Sequence, residues 1–290
     1  MGISAFALMS CGGGSSGGTA AAPAPIATTP SPTPTATASP SPSPTASPSP
    51  VAAPVCQISV ANPTSLSPYS DPAFRTALDN ARSLQFPASV NACMSTAQLQ
   101  AFTIDADNFY RDASGRMIFS FRNGIVDDDA SATTRMELRG MSFNAASAAK
   151  QFDASFQLPA FAERSASFTI AQVYGESEGL PIVRIAFIAE RSGVSNHLYA
   201  IYRRGNGSGD ATTIDLGAAP ADSATAQIRI GYNVGGAIEI FYSGTGTTTR
   251  LTENLSFWTQ ASKTTYFKAG CYLQLAGGCE VRFTALTFDR

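Results

Sequence analysis

The chain is poor in histidine, tryptophan and charge. Its 290 residues include one histidine and one tryptophan, and only 14% are charged. Lys and Arg number 19 against 21 Asp and Glu, for a formal net charge of −2. That balance provides no basic field for nucleic acid. A single histidine, and cysteines that never fall in Cys-x-x-Cys spacing, exclude the common zinc sites. No metal or cofactor is expected. No apolar run approaches the ~20 residues that a membrane-spanning helix needs. Helical periodicity is scarce as well, and most apolar residues alternate with polar ones.

The first 54 residues are not fold-forming. Leu8-Met9-Ser10-Cys11 has the form of a bacterial lipoprotein cleavage box. Residues 1–11 therefore read as the end of a truncated signal, with Cys11 lipidated. The short apolar stretch Ile3 to Met9 lacks preceding basic residues, so the rest of the signal is expected upstream. Residues 12–54 carry no charge and are built from Gly, then Ala, Pro, Ser and Thr. Such a linker is extended and polyproline-like, with a reach on the order of 130 Å at ~3.1 Å per residue. A lipid-anchored, exported monomer of the cell envelope is expected, at the outer membrane or cell surface.

Residues 55–290 suffice for one large β domain. Of five cysteines, those other than Cys11 are even in number, which in an exported chain favours disulfides. Cys271 and Cys279 flank Ala276-Gly277-Gly278 and lie on the apolar sides of their strands, so a bridge would pin a hairpin there. Cys56 and Cys93 form the other expected pair. A short helix is predicted with Ser70 or Asp71 as cap, Pro72 in its first turn, and Phe74, Leu78 and Ala81 as an apolar stripe against the outside of the sheet domain. Strands are expected at 116–122, 135–139, 152–158, 168–174, 182–189, 197–203, 226–232, 237–243, 266–274 and 281–288. Short strands separated by turn residues indicate a two-sheet sandwich.

Three of these strands have a polar face backed by an apolar one, because alternate side chains point to opposite sides. Arg135, Glu137 and Arg139 share a face, with Met136 and Leu138 opposite. Gln172 and Tyr174 are backed by Ala171 and Val173. Tyr266, Lys268, Tyr272 and Gln274 share a face around Gly270, which reads as a gap, and Phe267, Ala269, Cys271 and Leu273 lie behind them.

These strands resemble, in order, the signature strands of the alginate lyases of polysaccharide lyase family 7 (alginate lyase superfamily 2). The family's patterns are Arg-x-Glu-Leu/Val-Arg, Gln-Ile/Val-His and Tyr-Phe-Lys-x-Gly-x-Tyr-x-Gln. The first matches at its fixed positions, with Met136 where Ser or Thr is usual. The third matches throughout. The second departs, with Tyr174 where the family has its catalytic histidine. The resemblance spans Met117 to Arg290 and implies an all-β, concanavalin A-like jelly roll with a concave substrate groove.

It also implies β-elimination on a polyuronate, an acidic polysaccharide, which leaves a 4,5-unsaturated uronate end. Gln172 and Arg139, with Arg135, would offset the substrate carboxylate while the C5 proton leaves. Tyr272 would be the acid, and nearby positive charges would favour its phenolate as base. Tyr174 joins the catalytic set, either orienting the carboxylate or sugar ring or sharing the base role. Arg135, Glu137, Lys268, Tyr266 and Gln274 are expected to contact substrate or hold those that do. Glu137 is expected to position the two arginines rather than act as a base, and Arg184 is a further candidate cation. The alternative is a non-catalytic carbohydrate-binding surface lipoprotein on the same jelly roll. A third reading is an adhesion domain on a stalk.

Other signals have plainer readings. Asp127-Asp128-Asp129 lacks calcium-loop spacing and reads as a solvated turn. Gly205 to Asp210 reads as a flexible turn, and Trp258 as core or edge packing. His197 leaves the core on a strand face with Ser195, Tyr199 and Arg203, as a rim residue.

Overall fold

The structure, a computed structural model, describes residues 66–290 apart from 87–88, 95–98, 100–107, 125–134, 161–163, 165, 208 and 276. Cys11, the linker, Cys56 and Asp127 to Asp129 lie outside the described residues. The chain is a sandwich of two antiparallel sheets. The first, in spatial order, is β10 (Ala211–Ala218), β9 (Val194–Arg203), β8 (Leu180–Arg191), β7 (Ser167–Gly175), β14 (Thr265–Leu273), β5 (Arg135–Gly140), β1 (Ala81–Phe86) and β2 (Ser89–Met94). The second is β13 (Thr247–Asn254), β12 (Ala237–Gly244), β11 (Ala226–Tyr232), β6 (Lys150–Gln157), β15 (Gly277–Phe288), β4 (Met117–Gly124) and β3 (Phe109–Arg111). The architecture is the expected jelly roll.

The apolar halves of the alternating strands meet between the sheets. Phe267 on β14 lies 5.9 Å from Phe152 on β6 and 6.4 Å from Phe288 on β15, ring centre to ring centre. All three are buried, and burial of such a side chain contributes roughly 1.5–3 kcal/mol. Trp258 is also core, with its indole N–H donating to the Arg203 carbonyl at 2.8 Å.

The one α-helix among the described residues, α1 (Pro72–Asp79), starts as predicted. The Asp71 carboxylate accepts from the Ala73 N–H at 3.0 Å, and Pro72 fills the first turn, where an N–H is dispensable. Its stripe, Phe74, Ala77 and Leu78, joins the main core rather than lying outside it. Ala81 is not in the helix and opens β1 instead. Strands β1, β2, β3, β10 and β13 were not anticipated. For β13 the reason is plain: it is an edge strand with no buried residue, so Thr-Thr-Thr-Arg-Leu-Thr-Glu-Asn has no apolar alternation to read.

Two local expectations are corrected. Cys271 and Cys279 are bonded, with Cα atoms 6.1 Å apart, but they do not pin a hairpin. β14 and β15 belong to opposite sheets, so the chain arches over the sandwich and the bridge crosses the core. Reducing it is expected to lower the unfolding free energy by about 2–3 kcal/mol, as loop-closure entropy suggests. Urea titration of the protein with and without reductant, the latter mapped for this bridge, measures the difference. An unchanged midpoint would show that the bridge adds nothing.

Gly270, in turn, does not open space on the site face. Its φ is +143°, and a Cβ there would lie 2.2 Å from the Met136 carbonyl oxygen and 2.9 Å from the Phe119 ring. Glycine is required by a close backbone approach at an irregularity, where the register of β14 on β7 shifts between Ala269 and Tyr272.

Candidate active site

Strand pairing brings the three signature strands side by side, with β14 in the centre. On one side Lys268 faces Arg139, Gly270 faces Glu137, and Tyr272 faces Arg135. On the other, Tyr266 faces Tyr174, Lys268 faces Gln172, and Tyr272 faces Thr169. Directly paired residues share a sheet face, so the expected residues gather on one surface.

They form two layers. The lower layer is buried. Glu137, Gln172 and Lys268 are each 1% exposed. The Lys268 ammonium donates to Glu137 Oε2 at 3.0 Å and to Gln85 Oε1 at 2.6 Å. Gln172 Nε2 donates to Glu137 Oε1. Burial pulls the Lys268 pKa below its ordinary value, while the Glu137 charge opposes the shift. Glu137 therefore grips Lys268 and Gln172. Arg135 Nη1 lies 3.9 Å from it.

Arg139 has another partner. Its Nη2 donates to Glu176 Oε1 at 2.5 Å, in the turn after β7, and Arg82 stands 3.6 Å from the same oxygen. The expectation that Glu137 holds both arginines is thus half met. Gln85 and Glu176 escaped the sequence reading. Gln85 alternates with Ser83 on β1, a weak cue, and nothing local to Glu176 points to Arg139.

The upper layer is aromatic and cationic. The Arg135 guanidinium lies 4.4 Å from the Tyr272 ring centre, and that of Arg139 lies 4.1 Å from Tyr266. Such contacts order both partners. Tyr174 stacks on Tyr266 at 5.3 Å and donates its hydroxyl to the Gly179 carbonyl at 2.5 Å. Burial pushes the Tyr174 phenol above its ordinary pKa, against the lowering effect of Arg135. Burial does the same to Tyr266, with Arg139 opposing. Gln274, just past β14, accepts from Arg184 Nη1 at 2.5 Å.

His197 stands apart, on β9, with Nδ1 2.8 Å from Asp215 Oδ1. Its strand neighbours Leu198, Ala200 and Tyr202 are buried, as alternation predicted. Next to β9, Asp210 accepts from the Gly207 N–H at 2.8 Å.

A jelly-roll sandwich with a tyrosine- and arginine-bearing sheet face defines the class, that of polysaccharide lyases. A family model described as alginate lyase matches residues 80–290, and the chain belongs to that family. It is accordingly a polysaccharide lyase. No curated protein sequence matches it.

Solved structures agree on the fold. Alginate lyase AlyC3 is 17% identical, with a TM-score of 0.65 over 80% of this chain and 98% of that one. Alginate lyase PA1167 from Pseudomonas aeruginosa is 21% identical, with a TM-score of 0.58 over 73% and 98% of the two chains. Alginate lyase A1-II', a member of polysaccharide lyase family 7, is 20% identical, with a TM-score of 0.58 over 75% and 97%.

Proposed function

We propose that the protein cleaves a polyuronate of the polymannuronate or glucuronan type by syn β-elimination, with Tyr272 as both base and acid. The supporting observation is the contrast between the two candidate phenols. Tyr174, at the position of the family's histidine, is tied to the Gly179 carbonyl and held protonated by burial. Tyr272 sits at the middle of the site face beneath the Arg135 guanidinium.

In mannuronate and glucuronate the C5 hydrogen and the C4 oxygen leave from the same side of the ring. One tyrosine can serve both. The Tyr272 phenolate takes the C5 proton, the new electron pair forms the C4=C5 bond, and the C4–O4 bond breaks. Tyr272 then returns the proton to O4. In guluronate the two groups lie on opposite sides, and a second base would be needed across the ring.

The carboxylate must be offset as C5 loses its proton. An amide nitrogen has two N–H donors. One from Gln172 is used by Glu137, and the other, with Arg135 and Arg139, serves the substrate. Lys268 acts from beneath, holding the Glu137 carboxylate in place and so keeping Gln172 oriented. The dimannuronate complex of AlyC3 accords with a mannuronate substrate here.

Incubation with polymannuronate, polyguluronate and glucuronan, followed by ultraviolet absorbance, tests the reading. Unsaturated ends should accumulate with polymannuronate or glucuronan and far more slowly with polyguluronate. Binding without new absorbance would favour the carbohydrate-binding alternative. Efficient polyguluronate cleavage would refute the syn mechanism.

The enzyme would sit at the cell envelope, anchored through Cys11 and held away by the linker. Intact protein should carry lipid at Cys11 and sediment with membranes, and Cys11→Ala should be released. A membrane-bound, unlipidated Cys11→Ala protein would remove the anchor from the proposal.

A further inference from the structure

The cations of the site face are not equally compensated. Arg139 has Glu176, Lys268 has Glu137, and Arg135 lies 3.9 Å from Glu137. Arg184 differs. Cross-strand pairing places it directly beside Gln172, on the same face and one strand further from β14. Its guanidinium reaches across to Gln274, two residues beyond Tyr272, and there donates to a neutral amide. Among the described residues no carboxylate stands within ion-pair distance of Arg184.

A second cation, Arg203, is its diagonal neighbour, two residues past Ile201, the residue that pairs with Arg184. Arg203 is on β9, the next strand out, and donates to the Gly207 carbonyl at 3.3 Å. It too has no carboxylate partner among the described residues. Burial, with the like charge of Arg203, pulls the Arg184 pKa below its ordinary value. A half-buried guanidinium held in place by an amide, beside another cation, has a desolvation cost that no carboxylate among the described residues offsets. An incoming anion would offset it.

We propose that Arg184 and Arg203, with Gln274 as the positioning residue, form a second carboxylate-binding subsite for a uronate unit neighbouring the one that reacts at Tyr272. The inference rests on the polyuronate reading above and adds the direction in which the polymer extends. Adjacent strands are ~4.8 Å apart. A chain crossing from β14 over β7 to β8 and β9 would bring successive carboxylates from Arg135 and Gln172 towards Arg184 and then Arg203. Arginine suits the task because its planar fork can hold a carboxylate by two parallel hydrogen bonds.

Binding of mannuronate oligomers, measured by calorimetry on full-length Tyr272→Phe protein, tests this without relying on turnover. The tetramer should bind more tightly than the dimer. Adding Arg184→Gln and Arg203→Gln should weaken the tetramer by about tenfold or more and bring it near the dimer, as expected for loss of charge-assisted hydrogen bonds. Replacing both by lysine should restore part of the difference at low salt. A carboxyl-reduced tetramer on the unaltered arginines should also lose the advantage, a comparison that needs no folded arginine variant.

An undiminished tetramer advantage in the double Gln variant, or with the reduced tetramer, would overturn the proposal. So would equal weakening of dimer and tetramer, which would place the arginines at the reacting unit or in the framework. Whether the wild-type protein makes unsaturated ends is a separate result and decides the catalytic reading alone.

Discussion

Tyr272→Phe is expected to lower turnover by at least about 10,000-fold while leaving the fold intact. A positioned acid or base contributes roughly 10²–10⁴-fold, and this substitution removes both roles at once. It deletes only the hydroxyl. The ring remains to meet the Arg135 guanidinium, 4.4 Å from its centre, and the strand pairing with Arg135 and Thr169 is unaffected. Thermal unfolding should therefore coincide with wild type.

Tyr174→Phe is the informative partner. It removes the hydroxyl that donates to the Gly179 carbonyl, a net loss of about 1 kcal/mol in stability, and it keeps the stack on Tyr266. Measurable activity should persist. Full activity in Tyr272→Phe would overturn the mechanism. Complete loss in Tyr174→Phe, with Tyr272 intact, would move the base role to Tyr174.

The second large effect concerns stability. Glu137→Leu leaves the buried Lys268 ammonium without its counter-charge. Removing one member of a buried pair typically costs about 3–5 kcal/mol. Lys268→Met should cost a similar amount by stranding the carboxylate. The double variant Glu137→Leu, Lys268→Met should recover much of the loss, because replacing a buried pair with apolar side chains is often near neutral. Recovery will be incomplete, since Gln85 and Gln172 also lose partners. Denaturant unfolding of all four proteins gives the coupling. Strictly additive losses would show that Glu137 and Lys268 do not act as a pair. Activity should not return with stability, because Gln172 loses the acceptor that orients its amide.

The legible part of this protein is whatever depends on alternation along one strand. Period-two patterning separated Met136 and Leu138 from Arg135, Glu137 and Arg139. It likewise separated Phe267, Ala269 and Cys271 from Tyr266, Lys268 and Tyr272, and the core adopts those divisions. Capping chemistry located the start of α1 for the same reason, since Asp71, Pro72 and Ala73 are adjacent in the chain. The three signature strands also carried the family and hence the sandwich.

Tertiary structure decided what depends on neighbouring strands. Alternation shows that Lys268 leaves the core side of β14. It does not show that Gln85, 183 residues away, covers its ammonium, or that Glu137 holds it rather than Arg139. Glu176 found Arg139 because the turn after β7 lies beside β14 and β5, a consequence of sheet order. Gly270 looked like a gap because a missing side chain is all that the sequence records. Only the pairing of β14 with β5, and the Phe119 ring beneath, show that its Cα sits against backbone. The cysteine bridge was visible as a pair, but whether it closed a hairpin or crossed between sheets depended on the sheet that β15 joins. A strand's faces follow from its own residues. The partners that meet each face are set by long-range hydrogen bonding between strands, whose register a single sequence does not display.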